Sequence, residues 1–368
     1  MAADLMEKRI LVTGVGGIGG TNFIRALRLA ESQTKSKMFI VGTEFNPFYI
    51  EFPDVDFRAR TPRHSDKAFL PTLKGLLKRF QLEFVHPHPS VEARVVSERR
   101  REFEAVGAKI YLPLSEDIMP DKLRISQVLS SFNVPVPKTI HIKSKGDIDS
   151  AFKEMGSPLW MRTVSGAGGR LGLKVASTKE AGLWFKLNTL QGRADRSEFM
   201  LQEYLPGRDI AFDSLWFRGR LVTSFVRERL EYPLKHISLS GVTGTPSVAK
   251  IIHDEATNSA GSSAVRALNP EPHGFYSVDI KEEQGGHPKV TEVDGKWHTT
   301  APLWGYAFGK AYNRSMYNIV QAYLELGYGE ELSSELPQSN LFPEEHYLIR
   351  QMDSGIVLKG KGNLWRLA

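Results

Sequence analysis

The chain has 368 residues, enough for a large core divided among two or three lobes. Its 41% hydrophobic and 24% charged content is that of an ordinary globular protein, and no stretch approaches the ~18 consecutive apolar residues of a membrane span. The formal charge of +6 is mild and spread along the chain, which suits an anionic small molecule and argues against nucleic acid, and the absence of cysteine excludes disulfides, thiolate metal sites and a cysteine nucleophile. The densest basic run, 97–104, alternates arginine with glutamate and reads as a solvated helix face. No apolar signal segment opens the chain, so the expectation is a cytoplasmic protein.

Residues 8–13 read as a strand, 14–20 as a glycine loop and 21–30 as a helix. The loop contains G-x-G-x-x-G through Gly14, Gly16 and Gly19, a pattern that brings backbone N–H groups to an anion at a helix N-terminus. A second strand, 38–42, ends near Glu44, where a dinucleotide-binding fold keeps its ribose acid. Strands at 84–88 and 109–112 flank a helix at 92–107, and this alternation predicts a parallel α/β lobe over about 1–115. His86 and His88 flank Pro87 just after a strand and read as satisfying backbone groups rather than binding metal.

A helix at 121–132, a proline-bearing link at 133–138 and a helix at 145–155 come next. Strands at 159–163 and 172–176 then bracket a flexible loop, 165–169. A glycine loop between strands can fold over phosphates and donate backbone N–H groups, with Arg162 supplying charge, although the same composition also makes a plain mobile turn. A helix at 178–190, a strand at 199–205 and an antiparallel pair at 210–217 and 220–227 lead to a polar, glycine-bearing stretch, 234–247, which has the composition of a lid.

After a helix at 254–268, strands at 276–280 and 289–293 enclose Gly285-Gly286. A two-residue Gly-Gly turn suits type I′, and it sets Asp279 directly opposite Glu292, with Asp294 on the same face. Facing carboxylates repel, so the pairing points to a cation between them, and three oxygen donors suit Mg²⁺. A solvated acidic hairpin has the same spacing. An amphipathic helix at 312–326 and hairpins turning at 354–355 and 361–362 complete the chain.

Taken in order, these pieces resemble the ATP-grasp superfamily, especially the carbamoyl-phosphate-synthase-like carboxylate–amine ligases, over about residues 8–325. The resemblance implies an α/β and α+β chain: a Rossmann-like pre-ATP-grasp lobe (1–117) that does not bind NAD, then a two-subdomain ATP-grasp domain. Its small subdomain with the phosphate loop spans 118–198, its catalytic subdomain 199–330, and a C-terminal extension 331–368. It further implies that Lys122 and Arg162 bind phosphate beneath the loop of Ser165, Gly166, Gly168 and Gly169. Gln202, Glu203 and Leu205 stand where the family's hinge meets the adenine, and Asp209 or Asp213 where it keeps a ribose acid. Asp279, Glu292 and Asp294 match the Mg²⁺ ligands. Asp294 replaces the usual asparagine and Lys296 the usual arginine, giving E-x-D-x-K, which adds a negative charge and loses a bidentate fork.

The implied chemistry is ATP-dependent joining of a small-molecule carboxylate to an amine or ammonia through an acyl phosphate, with ATP and Mg²⁺, or Mn²⁺ in its place. Arg162, Lys296 and Arg227 are the catalytic candidates, with Arg227 and Arg229 also readable as an ordinary charged edge. His298 lies just past the acidic strand, within reach of a substrate, while Trp297, Trp304 and Tyr306 read as packing. Family members often dimerise, which carries over as the expectation of a homodimer. Two other readings stay open: an NAD(P)-linked oxidoreductase built on the 14–20 loop and Glu44, and a non-catalytic ATP-binding protein.

Overall fold

The computed structural model describes residues 7–34, 36–166, 169, 171–352 and 355–367. Strands β1 (Lys8–Thr13), β2 (Met38–Glu44), β3 (Phe57–Arg60), β4 (Phe84–Pro87) and β5 (Lys109–Ile110) form a parallel sheet in the order β3-β2-β1-β4-β5. Parallel neighbours need crossovers, which the helices Ile18–Thr34, Phe69–Phe80 and Ser90–Glu98 supply. The order reverses at β1, so the crevice between β1 and β4 lies at the strand ends where the first glycine loop meets His88 and Pro89.

Two elements of this lobe carry weak sequence signals. β3 (FRAR) is short and half polar, and the helix Phe69–Phe80 contains Pro71, tolerated because the first helical turn leaves its N–H groups unbonded. The expected 92–107 helix breaks at Arg99 into Ser90–Glu98 and Arg100–Glu104. The 97–104 run is a solvated face in part, with Glu98, Arg99, Arg101 and Glu104 exposed. Arg100 donates to the carbonyls of Ile110, Leu112 and Pro113, and Ser97 and Phe103 are buried.

β6 (Thr139–Ile142), β7 (Leu159–Thr163), β8 (Leu173–Val175) and β9 (Phe199–Glu203) make an antiparallel sheet ordered β6-β9-β7-β8. The helices Lys145–Met155 and Thr178–Leu190 cover it, burying Ile148, Ala151 and Ala181 against Leu159, Phe199 and Leu201. Because β9 pairs with both β6 and β7, the expected division at 198/199 falls one strand early, and the chain leaves this sheet after Glu203.

The third sheet has eight antiparallel strands: β10 (Asp209–Phe217), β11 (Arg220–Glu231), β12 (Val248–Ile252), β13 (Gly274–Glu282), β14 (Pro288–Asp294), β15 (His346–Gln351), β16 (Gly355–Gly360) and β17 (Asn363–Arg366). Their order is β14-β13-β10-β11-β12-β15-β16-β17. β15, β16 and β17 are therefore integral to this sheet rather than an extension, and β16 turns into β17 through Lys361 and Gly362, both with positive φ. The expected turn at 354 lies outside the described residues.

One face of the large sheet buries Phe212, Val226, Val278 and Ile280 under the helices Lys122–Ser131 and Glu255–Leu268. The other packs partly on Ala301–Tyr312 and Ile319–Tyr328, which also contact the N-terminal helix Ile18–Thr34. Asn22, Gln33 and Asn318 tie these helices together through the carbonyls of Thr299, Gly309 and Ala26. The expected helix over 312–326 begins instead at Ile319, and a helix that was not expected, Ala301–Tyr312, precedes it. Asn313, left-handed at φ 51, caps the first, and the chain restarts at Ile319. The uncovered part of this face looks toward β7 across a cleft.

Candidate active site

The cleft floor follows from strand register. β13 and β14 pair Asp279 with Glu292 and Ser277 with Asp294, as the two-residue turn predicts. The turn itself differs. Glu283 N–H donates to His287 O and Gly286 N–H to Glu283 O, so three residues form the loop and only Gly286, at φ +79, is left-handed. That is a type I turn closed by a left-handed glycine, which moves the register by one. A β-bulge at Thr291 moves it back before Glu292. Across the sheet β10 sets Ala211 beside Asp279 and Asp213 beside Ser277, and β11 sets Arg227 beside Ala211. Alternation therefore brings Glu292, Asp294, Asp279, Asp209, Asp213, Arg227 and Arg229 onto one face.

Each acid of this floor has a basic neighbour. Glu292 accepts from Arg162 Nη2 at 3.0 Å and lies 3.6 Å from Lys122 Nζ. Burial pushes its carboxyl up, but Lys122 and Arg162 outweigh that and hold it below the usual range. Asp279 pairs with Arg229 and with His298 Nε2 at 3.1 Å. Asp294 accepts from Lys296 Nζ at 2.7 Å and from the Met119 N–H at 2.9 Å, and burial raises it. Asp213, fully buried, accepts from Arg227, from the Ser277 hydroxyl at 2.8 Å and from His298 Nδ1 at 2.8 Å. Burial opposes the charge of His298, yet Asp213 and Asp279 outweigh it and raise its pKa, and each ring nitrogen lies within hydrogen-bond distance of one of these carboxylates.

The opposite wall is β7, which turns Trp160 and Arg162 toward a cavity of about 690 Å³. The glycine loop starts at its end, where Lys122 Nζ donates to Gly166 O at 2.6 Å and the Ser165 hydroxyl to Glu198 at 3.2 Å. Gly169 packs near Val242 of the 234–247 stretch, and Thr245 bonds Thr299 at 2.9 Å, so loop and lid meet over the cavity. Gly168 lies outside the described residues. Gln202, Glu203, Tyr204 and Leu205 line the same cavity. Glu203 is already engaged by Lys289 at 2.7 Å and Gln202 by Thr139, which leaves backbone groups to read a base.

The structure brings together Arg162, Asp209, Asp279, Glu292, Asp294 and Lys296, all on the cavity wall. Two expected residues fall elsewhere. Arg227 is 1% exposed and is consumed by Asp213 and by Thr300 Oγ1 at 2.8 Å, so it cannot touch substrate. Asp213 lies beneath the floor, leaving Asp209 as the ribose candidate. Lys122 is 5% exposed and reaches the site only through Gly166 and Glu292. Among the described residues no three acids or histidines close around one point, because Asp294 is turned to Lys296 and Met119. Asp279 and Glu292, two hard oxygen donors facing each other across paired strands, fit a divalent cation that completes its shell with phosphate oxygens. Trp160 was missed at the sequence level, although its two-residue spacing from Arg162 already placed both on one strand face.

The first glycine loop also lines this cavity, through Gly14, Gly17, Gly19 and Gly20, while Glu44 occupies its other side. Gly16 N–H donates to Glu44 Oε2 at 3.1 Å, and Glu44 Oε1 accepts from the Phe45 and Asn46 N–H groups. A Cβ on Gly14 or Gly16 would strike Pro89 or Tyr49. The acid expected at a ribose is therefore turned into the loop, and the dinucleotide reading loses its anchor. His86 and His88 bond each other at 3.1 Å and His86 bonds the Tyr323 hydroxyl at 3.1 Å, rather than backbone groups.

No protein-family model matches the sequence, and no curated protein matches it. Solved structures do. The biotin carboxylase domain of Hydrogenobacter thermophilus 2-oxoglutarate carboxylase superposes over 93% of this chain and 73% of its own, with a TM-score of 0.68 at 16% identity. N5-carboxyaminoimidazole synthetase from Staphylococcus aureus covers 94% of this chain and 83% of its own, with 0.66 at 15%. L-amino acid ligase from Bacillus licheniformis covers 93% and 78%, with 0.63 at 14%. Likeness to these structures over more than nine-tenths of its length gives this chain the ATP-grasp fold.

Proposed function

We propose that the protein is an ATP-dependent carboxylate–amine ligase. The observation that carries this reading is the ion pair from Arg162, on the flap strand β7, to Glu292, which faces Asp279 on the floor. A polyphosphate entering between flap and floor replaces that contact with its own charge, Arg162 turning to the phosphates. Asp279 and Glu292 are the residues that hold Mg²⁺, and bound Mg²⁺ offsets the charge on the phosphate oxygens. No observation favours Mn²⁺. The Hydrogenobacter protein was crystallised with MgADP and bicarbonate and the Staphylococcus protein with ADP, which supports ATP as the nucleotide.

In the proposed reaction a carboxylate oxygen of the substrate attacks the γ-phosphorus, and ADP leaves. The amine nitrogen of the second substrate then attacks the acyl carbon, phosphate leaves with the bonding electrons, and the nitrogen loses a proton. The chain supplies fixed charge and position. Arg162 neutralises the transferring group from the flap, while Lys122 holds the Gly166 carbonyl and with it the loop. Lys296, kept charged by Asp294 and Glu292, adds a second positive group at the floor. Asp213 and Ser277 orient His298, whose Nε2 meets Asp279. Loop and lid exclude water that would hydrolyse an acyl phosphate. The Hydrogenobacter domain is a dimer, which supports the expectation of a homodimer here. No helix among the described residues is long and apolar enough to cross a membrane.

The test is ADP release with paired pools of carboxylates and amines. Wild type is expected to turn over with at least one pair and to show a Mg²⁺-dependent melting shift with ADP. Glu292→Gln should lose turnover by about a hundredfold or more, as removal of one charge-stabilising group does. Retention of full turnover in that variant, or no Mg²⁺-dependent nucleotide binding by wild type, would sink the reading.

A further inference from the structure

The cavity does not end at the acidic floor. It runs on to the parallel lobe, where Gly17, Ile18, Gly19, Gly20, His88 and Ser90 line it. This is the crevice between β1 and β4 at which the strand order reverses, the place where open parallel sheets take ligands. Two helices begin there, Ile18–Thr34 and Ser90–Glu98, and their approaches touch: a Cβ on Gly14 would lie 2.1 Å from Pro89 Cγ. A helix leaves its first four N–H groups without acceptors inside it. Thr21 N–H finds Gly17 O at 2.9 Å. The N–H groups of Ile18, Gly19 and Gly20 find no partner among the described residues, and neither does the Ser90 hydroxyl. Unbonded N–H groups at a helix start suit an oxyanion.

A side chain adds the opposite polarity. His88 is 8% exposed, and its Nε2 is buried without a hydrogen-bond partner. It is aimed into the helix start, since a Cβ on Gly19 would lie 2.1 Å from it. The bonds behind the ring fix its state. Tyr323 has one hydroxyl hydrogen and donates it to Tyr111 O at 2.9 Å, so it accepts from His86 Nδ1–H at 3.1 Å. His86 Nε2 then carries a lone pair and accepts from His88 Nδ1–H at 3.1 Å. That leaves His88 Nε2 a bare acceptor, and burial, which pushes His88 down to about 3, keeps it unprotonated. A buried acceptor left unbonded is costly, so a hydrogen from a ligand answers it. This end of the cavity thus offers several donors and one fixed acceptor.

We propose that the start of the helix Ile18–Thr34, with Ser90 and His88, recognises one end of a small molecule: a carboxylate whose adjacent carbon bears an amino or hydroxyl group. The oxyanion takes the free N–H groups and the Ser90 hydroxyl, and the neighbouring N–H or O–H donates to His88 Nε2. The site stands on the geometry; that its occupant is one of the two joined molecules rests on the ligase reading. Its placement suits that role. Asn22 of the same helix donates to Thr299 O at 2.9 Å, and His298, the residue before, lies 3.1 Å from Asp279. Glu44 holds the Gly16 N–H from the far side of the loop and leaves the cavity side open.

Thermal unfolding of the full chain tests this, with glycolate, glycine and acetate titrated separately against chloride at equal ionic strength. Glycolate and glycine carry the extra donor and acetate does not. At least one of the two should give a saturable rise with an apparent Kd about tenfold or more below that of acetate, the scale of one hydrogen bond, and the responding probe names the donor. His88→Phe, which keeps a flat ring and removes the acceptor, should bring that probe level with acetate. Gly17→Asp should abolish every response by placing a negative charge in the loop. Its Cβ would meet only Gly14 O at 3.6 Å, so the variant should fold, and an unchanged melting temperature without added probe shows it. No saturable response in wild type, acetate binding as tightly as both other probes, or unchanged binding in Gly17→Asp overturns the site. A preference over acetate retained in His88→Phe overturns the role of His88. Melting with Mg²⁺ and ADP runs alongside: absence of that shift in wild type counts against the ligase reading alone, while the three titrations still decide the site.

Discussion

Glu92 shows what burial does to one side chain. It is 6% exposed, its Oε2 has no partner, and burial, reinforced by Glu44, pushes its carboxyl up to about 7 from 4.5. Between those values the unfolded chain has released the proton and the folded chain still binds it. Stability therefore falls as pH rises from about 4.5 to about 7 and is level above that. Glu92→Gln should abolish this slope and raise stability at pH 8 by on the order of 2–3 kcal/mol. Urea unfolding at pH 5 and pH 8 measures it, and identical pH dependence in variant and wild type refutes it. Residue identity alone did not reveal this, since a glutamate in a helix is ordinarily solvated. The same gap explains Arg227. Its position on a charged strand was readable, but its burial depends on Thr300 and the start of the helix Ala301–Tyr312, which come from 73 residues further on.

At the scale of elements, the acidic hairpin was the best-read part of the chain. Period-two alternation and a pair of glycines were enough to set Asp279 against Glu292. The turn type was not readable, because a three-residue turn and a one-residue bulge cancel and leave the same pairing. This has a measurable consequence. Gly286→Ala should cost about 1 kcal/mol, since Gly286 has φ +79 and open space around it. Gly285→Ala should cost less, its backbone being ordinary and its Cβ meeting only the His287 ring at 3.2 Å. Melting temperatures of the two variants decide it; a larger loss at Gly285 would favour the two-residue turn. The pair of helices around Asn313 was misread for a related reason. The left-handed cap at Asn313 and the 3-10 turn Ser315–Tyr317 separate them, a break that the residue types of 312–326 do not mark.

For the whole molecule, the C-terminal segment is the clearest surprise. Leu341, Phe342, Leu348, Ile356, Leu358 and Leu367 share one core with Trp304, Phe308 and Phe23 of the first lobe. A chain ending at residue 330 should lose cooperative unfolding, because it strips β12 of one of its two partner strands and opens that core. Circular dichroism melts of the truncated and full chains measure this, and a sharp transition near the wild-type temperature would contradict it.

Local spacing and composition by themselves determined the strand–loop–helix start, the second glycine-loop hairpin and the facing carboxylates, and the order of these pieces pointed to the fold. Those features depend on contacts between residues near in sequence, where alternation, turn chemistry and capping act. Tertiary structure alone decided that Glu44 accepts from the first glycine loop and that Arg227 and Asp213 are buried as an ion pair. Each of these turns on burial and long-range charge pairing, which are properties of how sheets and helices stack and leave no periodic trace along the chain.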